Sequence, residues 1–259
     1  MKNISFFFSV ILLSLLSAEI IQGQKVLNQK SVFPQGISFD YGIGNYSATD
    51  EYISGEKYSG SMPYYKITWF NPHESYSYHL SLQFQTSSDI KNYNVASDVY
   101  RFALNQGFSY ALPEFSLLNC KVYTFLGPST ELFFYYNRQN IAVSGFDYSQ
   151  SLLMLLSGGL SSQIFCKLSD NLNIEGSLDF GLLSLGFRMV DVEESDETPV
   201  KILTLFSGTN LSLALGPRYY FLGNLSLKAA YIFQLTRVSS WKPLLSAGDN
   251  LVITMTYGL

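Results

Sequence analysis

The sequence predicts an all-β chain: a single antiparallel β-barrel of about ten strands, with roughly eight to twelve compatible with the pattern, closed on itself and crossing a membrane. Three observations carry this reading. Long stretches alternate apolar and polar residues one by one, the period of a strand with one greasy face. The chain holds 19 Tyr and 20 Phe and is only 14% charged, which suits aromatic girdles at two interfaces better than a secreted soluble domain. Beyond its first segment it has no apolar run long enough for a membrane helix, which takes roughly 20 residues.

The two ends frame the barrel. Residues 1–23 read as an export signal: Lys2 gives the positive start, Phe6 to Leu16 the apolar stretch, and Ala18 or Gly23 the small residue before a cut. No cysteine lies near that cut, so no lipid anchor is expected. Residues 24–34 are assigned to a short periplasmic segment and 35–259 to the barrel. At the other end, Leu251, Ile253, Met255, Tyr257 and Leu259 share one face, while Val252, Thr254, Thr256 and Gly258 occupy the other. This is read as the barrel-closing strand. A secreted β-sandwich is the main structural alternative.

The strands follow in order. Ile37, Phe39, Tyr41 and Ile43 alternate with small or polar residues, and a polar loop is expected over 47–60. Tyr65, Ile67 and Trp69 lead to a turn at Asn71-Pro72-His73-Glu74, then Tyr76, Tyr78, Leu80, Leu82 and Phe84 return as a hairpin. Over 88–114 the pattern is weakest. Val99, Phe102, Ala103 and Gln106 fit helical spacing and another hairpin is an alternative, but a long outer loop is favoured. A strand over 116–136 reaches an expected turn at Asn137-Arg138-Gln139-Asn140. Ser169-Asp170-Asn171 turns a hairpin over 160–188, and further strands fit 200–221, 225–238 and 249–259. Leu-Gly-Pro occurs twice, at 126–128 and 215–217, and each triplet is expected to kink or bulge its strand. Short connections alternating with long ones (47–60, 88–114, 189–199, 239–248) suggest short periplasmic turns and longer outer loops, with the acidic segment 191–197 outside.

The signal, the alternating strands and the terminal strand together resemble bacterial outer-membrane β-barrel proteins. The Tyr-rich, Gly-Pro-interrupted style is similar to barrels of Bacteroidota-type bacteria. The resemblance covers nearly the whole mature chain and implies a cell-envelope location in a Gram-negative bacterium, with outer-membrane lipid and the barrel-assembly machinery as partners. Leu259 stands where that class usually ends in an aromatic residue.

Little in the sequence points to catalysis. A net charge of −4 and the lack of a basic run argue against nucleic acid. No Cys/His spacing suggests a metal, and no cofactor is implied. His79-Leu80-Ser81 has the His-x-Ser form of lipid A deacylase barrels, but both polar residues are expected inside, away from lipid. His73 reads as a turn residue. Cys120 and Cys166 could pair, though two isolated cysteines are more simply separate fillers. The informative polar residues are those expected in the lumen: Asp40, Lys66, His79, Glu175, Asp179 and Lys228, with Lys121, Lys167, Arg188 and Arg218 less clearly placed. Mixed signs in a narrow barrel favour a lumen filled by paired charges over a water-filled channel. The leading reading is therefore a non-enzymatic outer-membrane barrel whose loops serve docking, adhesion or a structural role toward a protein or extracellular ligand. A small diffusion channel comes second and a barrel enzyme acting on lipid or peptide third.

Overall fold

The computed structural model describes residues 35–73, 75–92, 95–117, 120–143, 146–190, 199–222 and 224–259. The export signal and most of the periplasmic segment, and the acidic stretch 191–197, lie outside the described residues. The chain forms β1 (Gly36–Asp50), β2 (Ser54–Pro72), β3 (Tyr76–Lys91), β4 (Ala96–Ala111), β5 (Phe115–Leu117), β6 (Cys120–Val143), β7 (Phe146–Lys167), β8 (Leu172–Val190), β9 (Val200–Thr204), β10 (Gly208–Leu222), β11 (Leu225–Val238) and β12 (Leu244–Gly258). All neighbours are antiparallel, and β12 pairs β1 to close the ring. β5 lies off the ring against β6. β9 and β10 pair successive lengths of β8 and so make one stave, which leaves a barrel of ten.

Four expectations need correction. The stretch 88–114 holds a full stave, β4, paired to β3 on one side and β6 on the other, and contains neither helix nor long loop. Residues 137–140 continue β6, with Asn137 opposite Ser151, and the connection to β7 comes later at 144–145. The loops expected over 47–60 and 239–248 shrink to 51–53 and 239–243 as strands extend into them. Finally, both Gly-Pro pairs sit in strands without a register shift. Pairing of β6 with β4 skips from Gly107–Ser129 to Tyr110–Leu126, and pairing of β10 with β11 skips from Leu215–Tyr231 to Arg218–Lys228. Proline has no N–H to give the ladder. The glycine before it lets the backbones close: a Cβ on Gly127 would stand 2.1 Å from the Phe108 carbonyl oxygen, and one on Gly216 1.9 Å from that of Ala229.

True irregularities lie elsewhere. An extra residue in β8 at Gly181–Leu183 shifts its register against β7. Inward positions change there from odd (Asn173, Glu175) to even (Ser184, Arg188), so Leu182 and Leu183 both face out. A turn at Thr204–Ser207 separates β9 from β10 and projects Phe206 outward.

The polarity of β1 and β2 inverts along the barrel axis. Toward the end that carries both barrel termini, the outer face is an apolar belt that includes Ile37, Phe39, Tyr41, Ile43, Leu251, Ile253 and Met255, while the inner face carries Ser38, Asp40, Thr254 and Thr256. That arrangement suits lipid outside and polar groups inside. Farther along the same strands the outer positions of β1 and β2 become polar (Asn45, Ser47, Ser59, Ser61) and the inner ones apolar. Tyr46, Tyr58, Met62, Tyr135, Leu153, Leu155, Leu203 and Trp241 there form one buried cluster. The expected polar luminal face is present in the belt half, interrupted by the small cluster of Tyr64, Ile232 and Val252. In the other half β1 and β2 turn their apolar side inward, whereas β8 and β9 keep Leu185, Met189 and Ile202 exposed outside.

Candidate functional site

Within the belt half the strands bring together charges that are far apart in sequence. Register places Asp40 opposite Lys66 on β2 and opposite Thr254 on β12, Thr254 opposite Lys228, and Lys228 opposite Arg218. Glu175 reaches in from β8. It accepts from Arg218 Nε at 2.6 Å and pairs with Lys228 Nζ at 3.4 Å. Arg218 also donates to Ser226 Oγ at 2.9 Å and to Thr256 Oγ1. Nε and Nη1 of that guanidinium thus meet acceptors inside the wall, which offsets part of the cost of burying the charge.

These groups line a cavity of ≈ 150 Å³ whose wall includes Asp40, Lys66, His79, Glu175, Asp179 and Lys228, the six residues singled out from the sequence, together with Arg218. The lining runs down to Pro72 and Ser77, which flank the turn at 73–75, and to Tyr220 near the β10–β11 turn. Glu175 satisfies Arg218 and Lys228, but other groups are left over. Asp40 Oδ1 and Asp179 Oδ1 are buried without a hydrogen-bond partner.

Above the cavity the lumen is crossed by side chains from strands that are not neighbours. His79 on β3 meets Gln163 on β7 at 3.1 Å through Nδ1, and Asn105 Oδ1 at 2.8 Å through Nε2. Asn105 leads at 3.5 Å to Glu131, which also accepts from Asn210 on β10. Gln83 on β3 and Gln234 on β11 exchange reciprocal amide bonds of 3.2 and 2.9 Å. Nearer the far end Arg101 donates to Gln85 at 3.0 Å and packs between the rings of Tyr46 and Phe133. Arg188 on β8 pairs with Asp50 on β1, both side chains almost wholly buried, and donates to Lys242 O at 3.0 Å. Trp241 and the 239–243 connection fold over this end, where Glu51 N donates to Pro243 O at 3.0 Å.

No bond links His79 to Ser81. Both ring nitrogens of His79 are engaged by amides, so the pair lacks the nucleophile–base contact that acyl transfer needs. Among the described residues no group of three or more His, Cys, Asp or Glu side chains could hold a metal ion. His73 sits at its turn with its ring against Tyr76, 4.4 Å between centroids. Lys121 and Lys167 lie at the terminal rim, on Glu114 at 4.0 Å and Asp170 at 2.9 Å, and not in the lumen. The hydrogen bond from Lys167 holds the exposed Asp170 carboxyl below its ordinary pKa. Cys120 and Cys166 lie on adjacent strands with their thiols in contact, and no disulfide joins them. Leu251, Ile253, Met255, Tyr257 and Leu259 all point outward from β12 or its end.

Sequence reasoning missed Arg101, Glu131 and Gln163. For Glu131 the signal was present: it shares inward parity with Ser129, Phe133 and Tyr135 within the expected strand 116–136, but the apolar Phe133 and Tyr135 on that face hide a polar luminal side.

No protein-family model matches the chain, and no curated protein matches it. Among solved structures, the outer membrane protease OmpT from Escherichia coli has a TM-score of 0.50 at 7% identity, covering 91% of this chain and 99% of that one. The fold is that of a bacterial outer-membrane β-barrel. The translocator domain of the autotransporter NalP from Neisseria meningitidis, with a TM-score of 0.41 and 12% identity, covers 100% of this chain and 97% of its own. The first likeness concerns backbone architecture alone. Combined with the apolar belt, it places this outer-membrane barrel in the lipid of that membrane.

Proposed function

We propose that this protein is an outer-membrane barrel closed to solute flow, which acts as a membrane-anchored platform and performs no catalysis. The observation that carries this reading is the set of bridges across the lumen. His79–Gln163, Gln83–Gln234, Glu131–Asn210 and Asp50–Arg188 each join staves on different sides of the barrel, and above them the wall packs Tyr46, Tyr135, Leu153 and Trp241 into a core. A water-filled pore would instead need polar, separated walls along its length. Orientation follows from the usual topology of such barrels, which puts both termini and the belt-half cavity toward the periplasm and the other half outside. There it would present the 51–53 and 239–243 connections for docking or adhesion. The Tyr-rich strands remain in keeping with the Bacteroidota-type barrels the sequence resembles.

OmpT is a protease, but at 7% identity its fold likeness transfers no activity. Here the only luminal histidine is bonded to amides. Single-channel recording of the purified, folded protein in planar bilayers tests the closed lumen. No discrete conductance above the bare bilayer is expected, and stable, stepwise openings of the unmodified protein would overturn the reading.

A further inference from the structure

We propose that the belt-half cavity is a binding site for a small zwitterion of the α-amino acid type, entered from the periplasmic end. The inference rests on the closed-lumen reading only in that the cavity is then a dead end. Three features of the wall select the guest.

The first is charge balance. The lining carries three carboxylates, Asp40, Glu175 and Asp179, and three cations, Lys66, Lys228 and Arg218. A net cation or a net anion would enter with its charge uncompensated, at a cost that grows as water is excluded. A guest of zero net charge with both poles avoids that cost.

The second is which groups remain available. Glu175 engages Arg218 and Lys228 at 2.6 and 3.4 Å, which removes that trio from competition. Asp40, only 8% exposed, keeps Oδ1 buried and without a partner, and Asp179 Oδ1 is in the same state. These two oxygens call for donors, which an ammonium supplies. The Lys66 ammonium lies directly across from Asp40 and offsets its charge, so a guest's ammonium and carboxylate would insert between the two, the carboxylate toward Lys66.

The third is size and shape. A space of ≈ 150 Å³ holds several waters. That accommodates an amino acid with a short side chain. Ala214, Ala230 and Ile232 form an apolar part of the wall against which a short aliphatic side chain can rest.

The test is calorimetric titration of the purified, folded barrel in detergent with L-alanine. Ethylamine and propionate serve as half-molecules carrying one charge each, and glycerol as a neutral polyol of similar size. Saturable binding of L-alanine is expected, weakened at least tenfold in Asp40→Asn and in Lys66→Gln, with neither half-molecule binding at a tenfold higher concentration. Retention of heat-modifiable migration shows that each variant is folded, and a variant at a position outside the cavity, Ser47→Ala, should bind as the parent does. Failure of L-alanine to bind the folded protein would overturn the proposal, as would equal binding of glycerol, which would mean a water-filled cavity without charge selection. Unchanged affinity in both charge variants would also sink it. The measurement is made without a bilayer, so a conducting lumen and an empty site are distinguishable failures.

Discussion

Ile43 and Tyr46 lie three residues apart on one unbroken strand, yet Ile43 faces out with 54% of its surface exposed and Tyr46 faces in with 2%. No bulge separates them, since the β1–β12 pairing runs in step from Gly36 to Asp50. The strand keeps its facing, and what changes is the side on which apolar residues are placed. Up to Ile43 they sit at odd positions and meet lipid. From Tyr46 they sit at even positions and meet one another. On β1 this is the level at which apolar side chains pass from the outer face to the inner one, with the polar cavity on one side of it and the buried cluster on the other.

The belt implies a sharp asymmetry between neighbouring residues of β8. Leu178 faces out in the belt, whereas Ser177 lines the cavity beside Glu175 and Asp179. Leu178→Arg should make folding into bilayers less favourable by roughly 2–4 kcal/mol, because the guanidinium is forced toward lipid. Ser177→Arg should cost far less, since acidic groups and water can receive the charge. Urea titration of folding into lipid vesicles measures both, and equal losses would contradict the assigned facing.

How much of this was legible in the sequence depends on whether an element obeys one rule or two. β11 reads correctly because Leu225, Leu227, Tyr231 and Phe233 keep a single apolar phase through the belt. The first strand was cut short near Ile43 because the phase changes at Tyr46, and a phase change resembles a loop when only one environment is assumed. β4 was missed for a related reason. Its inward Val99 and Ala103 and outward Tyr100 and Phe102 are all apolar, so alternation disappears although the backbone is fully paired. The six luminal residues could be chosen because they lie in the belt half, where polar side chains stand out against greasy neighbours. The far-end bridge of Asp50 and Arg188 could not be paired, since it depends on a β8 bulge that shifts parity and on a closure of strands distant in sequence.

That bridge supplies a second prediction. Asp50 and Arg188 are buried beside the apolar and aromatic cluster, with Ser151 Oγ accepting from Arg188 at 3.4 Å and Tyr52 stacked under the guanidinium at 4.4 Å. Asp50→Ala should destabilise the folded protein by about 3–5 kcal/mol because it strands a buried cation. The double variant Asp50→Ala/Arg188→Met should recover a large part of that loss, since neither charge then needs a partner. A double-mutant cycle from denaturant unfolding reads the coupling. Additive losses would mean that the two side chains do not act as a pair.

A third prediction concerns the glycines that precede the strand prolines. Gly216→Ala would drive a methyl group into the Ala229 carbonyl oxygen, and Gly127→Ala into that of Phe108. Backbone is the obstacle in both cases, so no rotamer change relieves it, and a loss of roughly 1–3 kcal/mol is expected for each. Gly55→Ala meets nothing within 4 Å and should be close to neutral. Thermal unfolding of the three variants under one condition gives the order, and a Gly55 variant as damaged as the others would remove the steric explanation.

The last prediction concerns closure. The end of β12 is held on both sides: Tyr257 pairs Ile37 on β1 and Leu225 on β11, Gly258 N donates to Asn224 O at 2.7 Å, and Leu259 N donates to Gln35 O at 2.7 Å. Deleting residues 257–259 removes these bonds at the rim of the belt and leaves the facing groups of β1 and β11 unpaired next to lipid, where no water replaces them. It also exposes strand edges that can pair with other chains. The truncated protein should be exported but should not acquire the compact, heat-modifiable form. Tyr257→Asp keeps the backbone bonds and alters only the outward face, so it separates the two causes. If the deletion fails while Tyr257→Asp assembles, the backbone seam is the determinant. If both fail, the greasy outer face of β12 is required as well. Outer-membrane fractionation combined with gel migration before and after heating distinguishes these results, and normal folding of the truncated chain would show that closure does not depend on the β12 terminus.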